Sequence, residues 1–136
     1  QASRIDSFLD ADLVFAREAQ VYLLGIDKIS EEGYQRMSAA YEFYLSGIEA
    51  TLSDNEYLAG NSLTIADISF VCDFAQFLRE GHYEEQLAGQ GLSLISEGGR
   101  EDYPRVYEHM LELNARPEFS EVMGSYLSWY RRKLEG

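Results

Sequence analysis

Residues 61–70 read NSLTIADISF and contain the strongest helix-start signal in the sequence. With Thr64 as the N-cap, Asp67 occupies the third helical position, from which its carboxylate can reach back to the Thr64 N–H. The Thr64 hydroxyl can in turn accept from the Asp67 N–H, which completes a capping box in its aspartate version. Leu63 and Ile68 are spaced for the hydrophobic staple that accompanies such a box. The segment therefore predicts a helix that begins directly after Thr64.

An acidic residue inside an apolar run can also be a catalytic or metal-binding carboxylate. Asp67 has no histidine and no second acid three or four positions further on, and the next polar residue on that side, Asp73, is six positions away. The capping box accounts for the residue fully, so we interpret Asp67 as structural. On that interpretation alone, replacing Asp67 with Ala should cost about 1 kcal/mol or more of folding stability.

Apolar residues recur at three and four spacing through most of the chain, which is typical of amphipathic helices. The predicted helices span residues 3–25, 30–52, 65–78, 103–114 and 117–134. The third is apolar nearly all round, as expected for a helix at the centre of a bundle. The sequence thus predicts an all-α fold, a helical bundle of five principal helices that forms one domain over residues 1–136.

Residues 80–102 break this pattern, because they are irregular and contain five glycines. A short helical turn is predicted at residues 83–88. The segment is long for a connector inside a compact domain, so we expect it to be either functional or mobile.

The charge balance excludes several classes of partner. With 24 acidic and 11 basic residues, the formal net charge is −13, whereas nucleic acids and anionic membranes bind basic surfaces. The basic cluster at residues 131–133 is expected to complement a helix dipole instead. The sequence shows neither a membrane span nor a signal peptide. Its single cysteine, Cys72, allows no internal disulfide, so we expect a reducing, cytoplasmic location.

Three segments carry a family resemblance. Residues 57–68, YLAGNSLTIADI, resemble the signature that leads into the central helix of the C-terminal, all-helical domain of cytosolic glutathione transferases. Residues 4–10, RIDSFLD, resemble the start of the first helix of that domain. Residues 103–119, YPRVYEHMLELNARPEF, resemble its penultimate helix and the Arg-Pro pair that follows. In order and spacing, the resemblance covers nearly the whole chain.

The resemblance implies a two-domain enzyme in which glutathione is the co-substrate. In that family a thioredoxin-like N-terminal domain binds glutathione and carries the Tyr, Ser or Cys that activates its thiol. No βαβ pattern occurs in this sequence, so we expect the chain to represent the C-terminal half and to be inactive by itself. Its implied roles are to bind a small electrophilic substrate and to form part of a homodimer interface.

Two other functions stay open. The first is a non-catalytic member of the same superfamily that acts as a protein-interaction or scaffold domain. The second is a free-standing helical adaptor, which is disfavoured because the wide apolar surface of the first helix requires a partner.

The first helix of this domain lines the electrophile pocket in family members. In this sequence Asp6, Asp10, Leu13 and Arg17 fall on one side of that helix, away from its main apolar arc. The resemblance implies substrate binding by Asp10, Leu13 and Arg17, with Arg17 attracting a carboxylate and Asp10 meeting the amino group of glutathione. The alternative is a solvated face whose ion pairs contribute little stability.

Other chemically notable residues receive structural interpretations. Asp12 points into the apolar arc of the first helix and needs a partner, either a tyrosine hydroxyl or an arginine. Cys72 is expected to be a buried core residue rather than a nucleophile, since nothing cationic adjoins it in sequence.

Neither the histidines nor the paired glycines form a recognisable site. His82 and His109 are 27 residues apart without ligand spacing, so no metal site is predicted. Gly98 and Gly99 lack the strand and the basic residue that a phosphate-binding loop requires. In the family the last helix can close over the electrophile pocket, but for the aromatic residues near the C-terminus core packing is expected: Tyr126, Trp129 and Tyr130.

Overall fold

A computed structural model describes residues 2–119 of the chain. This part contains six α-helices and no β-strand. The helices are α1 (Ala2–Leu24), α2 (Glu31–Asp54), α3 (Ile65–Phe77), α4 (Glu84–Ala88), α5 (Gly99–Asp102) and α6 (Pro104–Asn114), with 3₁₀ turns at Ile26–Lys28 and Leu78–Tyr83. The all-α fold is confirmed. The predicted fifth long helix and its aromatic and basic residues lie outside the described residues, except that residues 117–119 are helical.

The bundle is built around α1, which packs most extensively against α3 and next against α2, while α6 packs on α2 and α3. Aromatic side chains fill the centre of the contact. Phe15 of α1 stacks on Tyr44 of α2, with ring centroids 4.4 Å apart, and lies 5.5 Å from Phe77 of α3. Phe15 and Phe77 are almost completely buried, so they fix how the three helices meet.

Helices α2 and α3 begin where the sequence predicts, because a side chain caps each start. At α2, the Ser30 hydroxyl accepts from the Gly33 N–H at 2.9 Å. At α3, the Asp67 carboxylate accepts from the Thr64 N–H at 3.0 Å, and the reciprocal capping box is formed. Leu63 packs against the core, whereas Ile68 is 42% exposed, so the Leu63–Ile68 staple stays a prediction.

Helix α6 begins differently. Pro104 occupies its first turn, where the missing N–H carries no penalty. The cap comes from another helix, because the Glu49 carboxylate of α2 accepts from the Arg105 N–H at 3.3 Å and from the Val106 N–H at 3.0 Å. A carboxylate at this end also complements the helix dipole.

The interpretation of residues 80–102 as an irregular segment is corrected by the structure. The predicted turn is present as α4, but a 3₁₀ turn precedes it and α5 follows. The buried Glu80 carboxylate accepts from the Tyr22 hydroxyl at 2.6 Å, from the Ile95 N–H at 2.8 Å, and from the Ser96 N–H and hydroxyl at 3.1 and 2.9 Å. The segment is therefore held to α1 through one side chain, a contact that its local sequence does not reveal.

Helix α3, which the sequence places at the centre of the bundle, is buried along one face and exposed along another within residues 2–119. Its buried face contains Phe70, Val71, Phe74 and Phe77, which pack into the core, but Ile65 and Ile68 of the opposite face are 56% and 42% exposed. Within residues 2–119, α3 packs most extensively against α1 and less extensively against α6. An apolar helix surface is thus left open to solvent in the described part of the chain.

Candidate functional site

The exposed side of α1, here called the α1 outer face, contains the four residues that the sequence placed together. Asp6, Asp10, Leu13 and Arg17 are all exposed, and none of the ion pairs formed within residues 2–119 involves any of them. The same face carries three further exposed apolar side chains: Val14, Val21 and Leu24. The four residues therefore lie on one exposed side of α1, as the sequence predicted.

Leu13 is unusual for an exposed position, since 59% of its surface is open to solvent. Together with Val14, Val21 and Leu24, it makes the α1 outer face partly apolar, with carboxylates and one guanidinium interspersed. Contiguous exposed apolar surface on a soluble protein commonly marks a binding site. The face can thus offer an apolar wall and, through Asp10 and Arg17, charges of both signs.

Arg17 lies at the edge of a groove between the second half of α1 and the start of α2. The groove encloses about 350 Å³, and Val21, Tyr22 and Met37 provide its apolar lining. A second guanidinium in the groove, that of Arg36, is neutralised by Glu18, with N–O distances of 2.6 and 2.8 Å. Arg17 is therefore the cation of the groove that remains available to an anionic group.

A second groove separates α1 from α2 at the other end of this helix pair and encloses about 680 Å³. Its lining is mostly apolar and small, with Phe8 and Ala11 from α1 and Ala39 and Gly47 from α2. Phe43 stands on its rim with 81% of its surface exposed. An aromatic side chain this exposed beside an apolar groove is typical of a protein–protein contact.

Cys72 is exposed, so the prediction that it is a core residue is wrong. It belongs to the same open side of α3 as Ile65 and Ile68. Partial burial raises the pKa of its thiol, and the negative charges of Asp73 and Asp12 raise it further. The nucleophilic form of cysteine is the thiolate, so this environment disfavours a catalytic role, as the sequence also indicated.

Asp12 is bonded to a tyrosine hydroxyl, one of the two kinds of partner that the sequence predicted. Its side chain is 6% exposed, and its Oδ1 accepts from the Tyr44 hydroxyl at 2.7 Å. Burial and a hydrogen bond with Asp73 raise the pKa of Asp12 to about 8, although the Tyr44 hydroxyl acts in the opposite direction. The hydroxyl bond satisfies one of the two carboxyl oxygens within the α1–α2–α3 contact.

Asp67 has a role beyond capping that the sequence did not reveal. Its carboxylate is completely buried and also accepts from the Leu58 N–H at 3.1 Å and from Nε2 of His109 at 2.9 Å. Burial raises the pKa of Asp67, but the hydrogen bonds from His109, Leu58 and Thr64 outweigh it, so the pKa lies below its usual value. Because both members of the Asp67–His109 pair are buried, the pair is placed to stabilise the fold rather than to act on a substrate.

Metal and membrane sites receive no support in the described part of the chain. Among residues 2–119 no cluster of three or more His, Cys, Asp and Glu side chains could hold a metal ion. Nε2 of His109 is paired with the Asp67 carboxylate at 2.9 Å. None of the described helices is both long and apolar enough to cross a membrane.

Comparison with known families gives one match. The sequence model of the family described as "Glutathione S-transferase, C-terminal domain" matches residues 5–117. The match includes the α1 outer face, the capping box of α3 and the whole of α6. No curated protein and no solved structure was found to match the chain.

Proposed function

Because the chain belongs to the glutathione S-transferase C-terminal domain family, we propose that it forms the electrophile-binding wall of a glutathione transferase. Its partner is a thioredoxin-like domain that holds glutathione as co-substrate and activates its thiol. The thiolate attacks an electrophilic carbon of a small substrate, and a carbon–sulfur bond forms there while the bond from that carbon to a leaving group breaks and the group departs with the bonding electrons. The helical chain binds and orients the electrophile and provides no catalytic residue of its own.

The observation that carries this proposal is the composition of the α1 outer face. Leu13 offers apolar surface for an electrophile, and four residues away along the helix Arg17 offers a guanidinium without an ion-pair partner within residues 2–119. Asp10 precedes Leu13 by one turn on the same face. This spacing suits a ligand with an apolar body, a carboxylate and an amino group, as in a glutathione conjugate.

The test compares two exposed arginines of α1 in the protein combined with its thioredoxin-like domain. Arg17→Ala should raise the KM for glutathione about tenfold, because a hydrogen bond to a charged group contributes about 1.5–3 kcal/mol. Arg4→Ala, the matched control on the same helix, should leave the KM unchanged. Leu13→Asp should weaken binding of apolar electrophiles. Equal kinetics for the wild type and both arginine variants would contradict the assignment of Arg17.

The second candidate is a non-catalytic interaction domain of the same family, and the exposed Phe43 beside the α1–α2 groove favours it. A homodimer through this surface would also serve the enzyme, so the surface alone does not separate the two functions. Binding of the wild-type protein to immobilised glutathione, followed by assay of a panel of electrophiles, separates them. No binding and no turnover would support the scaffold function. Phe43→Ser should then abolish self-association in analytical ultracentrifugation.

The cytoplasmic location inferred from the sequence stays a prediction.

A further inference from the structure

A single amide side chain holds the connector between α1 and α2 in place. Oε1 of Gln90 accepts from the Ile29 N–H at 3.0 Å, and its Nε2 donates to the Ile26 carbonyl at 2.9 Å. The same Nε2 also donates to the Gln86 carbonyl of α4 at 3.0 Å. Because an N–H only donates and a carbonyl only accepts, these bonds fix the orientation of the amide. Gln90 therefore clamps both ends of the 3₁₀ turn Ile26–Lys28 from 61 and 64 residues away.

The clamped connector continues into one wall of the groove at Arg17, which encloses about 350 Å³. Ile29 lines this groove on the side where α2 begins, and Tyr22 lines it on the side of α1. The Tyr22 hydroxyl donates to the buried Glu80 carboxylate at 2.6 Å. The segment that contains Glu80 and Gln90 is thus bonded to both walls of the groove.

A third bond ties the first turn of α2 to the same segment. The Tyr34 hydroxyl donates to the Ser93 carbonyl at 2.5 Å, and the ring of Tyr34 lies 6.4 Å from that of Tyr22. The spacing of the two walls therefore depends on residues 80–93 as well as on the direct packing of α1 against α2.

The groove has the size and chemistry of a small-molecule site. Its volume is near the lower end of the range of about 300–1,000 Å³ that is typical of ligand pockets. Tyr22 and Met37 give it an apolar floor, and Arg17 at its edge takes part in none of the ion pairs within residues 2–119. Both features fit a small apolar group attached to a molecule that carries a carboxylate. A glutathione conjugate is such a molecule.

We propose that Gln90 positions the Ile29 wall of the groove and thereby limits the size of the electrophile that the protein accepts. This role rests on the proposed function, because the occupant of the groove is the apolar group of the electrophile. Gln90 acts through Ile29, so it is a positioning residue. Loss of its three hydrogen bonds frees the wall to move outward, which widens the groove and relaxes the selection by size.

Two variants separate this role from a general loss of stability. Gln90→Met keeps the length of the side chain but removes all three hydrogen bonds. Gln86→Met makes the same exchange at an exposed position of α4 and is the matched control. Amide hydrogen exchange at Ile29 should become about tenfold faster in Gln90→Met, because this N–H loses its acceptor, and should not change in Gln86→Met. Unchanged exchange at Ile29 in Gln90→Met would overturn the clamp.

Selection by size is measured in the protein combined with its thioredoxin-like domain, with benzyl chloride and naphthylmethyl chloride as electrophiles. In both reactions the glutathione thiolate attacks the carbon that bears chlorine, a carbon–sulfur bond forms, and chloride leaves with the bonding electrons. Gln90→Met should lower the KM for the naphthyl compound relative to that for benzyl chloride by about threefold, because discrimination by size in an apolar pocket is moderate. The kcat values should stay unchanged, and Gln86→Met should follow the wild type.

The kinetic outcomes distinguish the role of Gln90 from the proposed function. Wild-type turnover of neither electrophile would contradict the proposed function and the role of Gln90 with it. Wild-type turnover of benzyl chloride, combined with an unchanged KM ratio in Gln90→Met, would overturn the role of Gln90 alone. A kcat that falls equally for both electrophiles, without a change in the KM ratio, would also overturn it, because a purely structural loss does not depend on the size of the substrate.

A measurement on the wild type alone tests the same role if Gln90→Met does not fold. S-methylglutathione and S-benzylglutathione differ only in the apolar group on sulfur. In the protein combined with its thioredoxin-like domain, S-benzylglutathione should shift the amide NMR signals of Ile29 and Gly33 more than S-methylglutathione does, because the benzyl group reaches the groove wall. Equal shifts with the two compounds would place the apolar group outside the groove and overturn the proposal.

Discussion

Nε2 of His109 lies 2.9 Å from Oδ1 of Asp67, and this buried contact joins α3 to α6 across 42 residues of sequence. An ionised carboxylate only accepts hydrogen bonds, so Nε2 is the donor. The same carboxylate accepts from the Leu58 and Thr64 N–H groups. Asp67 therefore starts α3, orders the turn before it and positions α6.

Replacing Asp67 with Ala should consequently cost more than the loss of a cap. We expect a loss of about 3 kcal/mol in the free energy of unfolding, because His109, the buried Leu58 N–H and the partly buried Thr64 N–H lose their acceptor. Ser30→Ala, which removes a cap and nothing else, is the matched control and should cost about 1 kcal/mol. Urea unfolding measures both. Equal costs for the two variants would contradict the wider role of Asp67.

The same carboxylate should make the protein sensitive to acid. The pKa of Asp67 is held below its usual value, since its hydrogen bonds outweigh the effect of burial. Its contribution is therefore present above the unfolded pKa of about 4 and is lost as pH falls through the lower folded pKa. The wild type should lose more stability between pH 5 and pH 3 than Asp67→Asn, measured by thermal unfolding. An equal loss in Asp67→Asn would show that other groups cause acid unfolding.

Glu80 should control the order of the segment that follows α4. Glu80→Gln replaces an acceptor of four hydrogen bonds with an amide whose N–H₂ group cannot accept from Ile95 or Ser96. We expect about 2 kcal/mol of destabilisation and at least tenfold faster amide exchange at Ile95 and Ser96. Glu97→Gln, an exposed acid in the same segment, is the control. Unchanged exchange in Glu80→Gln would contradict the role of this carboxylate.

Gly99 should tolerate no side chain. A Cβ atom there would collide with the hydroxyl oxygens of Tyr107 and Tyr41, which are 3.0 Å apart in the core. Gly99→Ala should therefore destabilise the protein by about 1–3 kcal/mol. Gly47→Ala meets nothing within 4 Å inside α2 and should stabilise it by about 0.5–1 kcal/mol. Thermal unfolding of both variants would test whether the two substitutions change stability in opposite directions.

The sequence predicted well those features that depend on residues close to one another in the chain. The starts of α2 and α3 depend on Ser30, Thr64 and Asp67, which act within one turn of their own helices. Periodicity also placed Asp10, Leu13 and Arg17 together on an exposed side of α1. A carboxylate in an apolar arc requires a partner. The sequence could therefore predict the kind of group that bonds to Asp12, but it could not identify the residue as Tyr44.

What the sequence missed depends on contacts between distant segments. The acceptor role of Asp67 toward His109 and of Glu80 toward Tyr22 spans 42 and 58 residues. No local pattern specifies such a pair, so Asp67 could be interpreted only as a cap. The prediction that Cys72 is buried failed for a related reason. The sequence of α3 is apolar on nearly all sides, but the burial of each residue depends on which sides of the helix contact other elements.

The chemistry of Cys72 can be tested directly, because it is the single cysteine of the chain and it is exposed. Burial and the negative charges of Asp73 and Asp12 raise the pKa of its thiol, so little thiolate is present at neutral pH. Removing the neighbouring charge with Asp73→Asn should increase the rate of alkylation by iodoacetamide at pH 8 by about two- to fivefold, since a unit charge at contact distance in water contributes about 1 kcal/mol. Mass spectrometry of the modified protein measures the rate.

The control for this prediction is Glu108→Gln, which removes a charge from α6 and should leave the alkylation rate unchanged. Added salt gives a second check, because the Asp73 charge acts on an exposed thiol and is screened at high ionic strength. The difference between the wild type and Asp73→Asn should therefore shrink in 1 M sodium chloride. If Asp73→Asn reacts at the wild-type rate in low salt, burial alone suppresses the thiolate, and the carboxylates on this side of α3 lie too far from the sulfur to affect it.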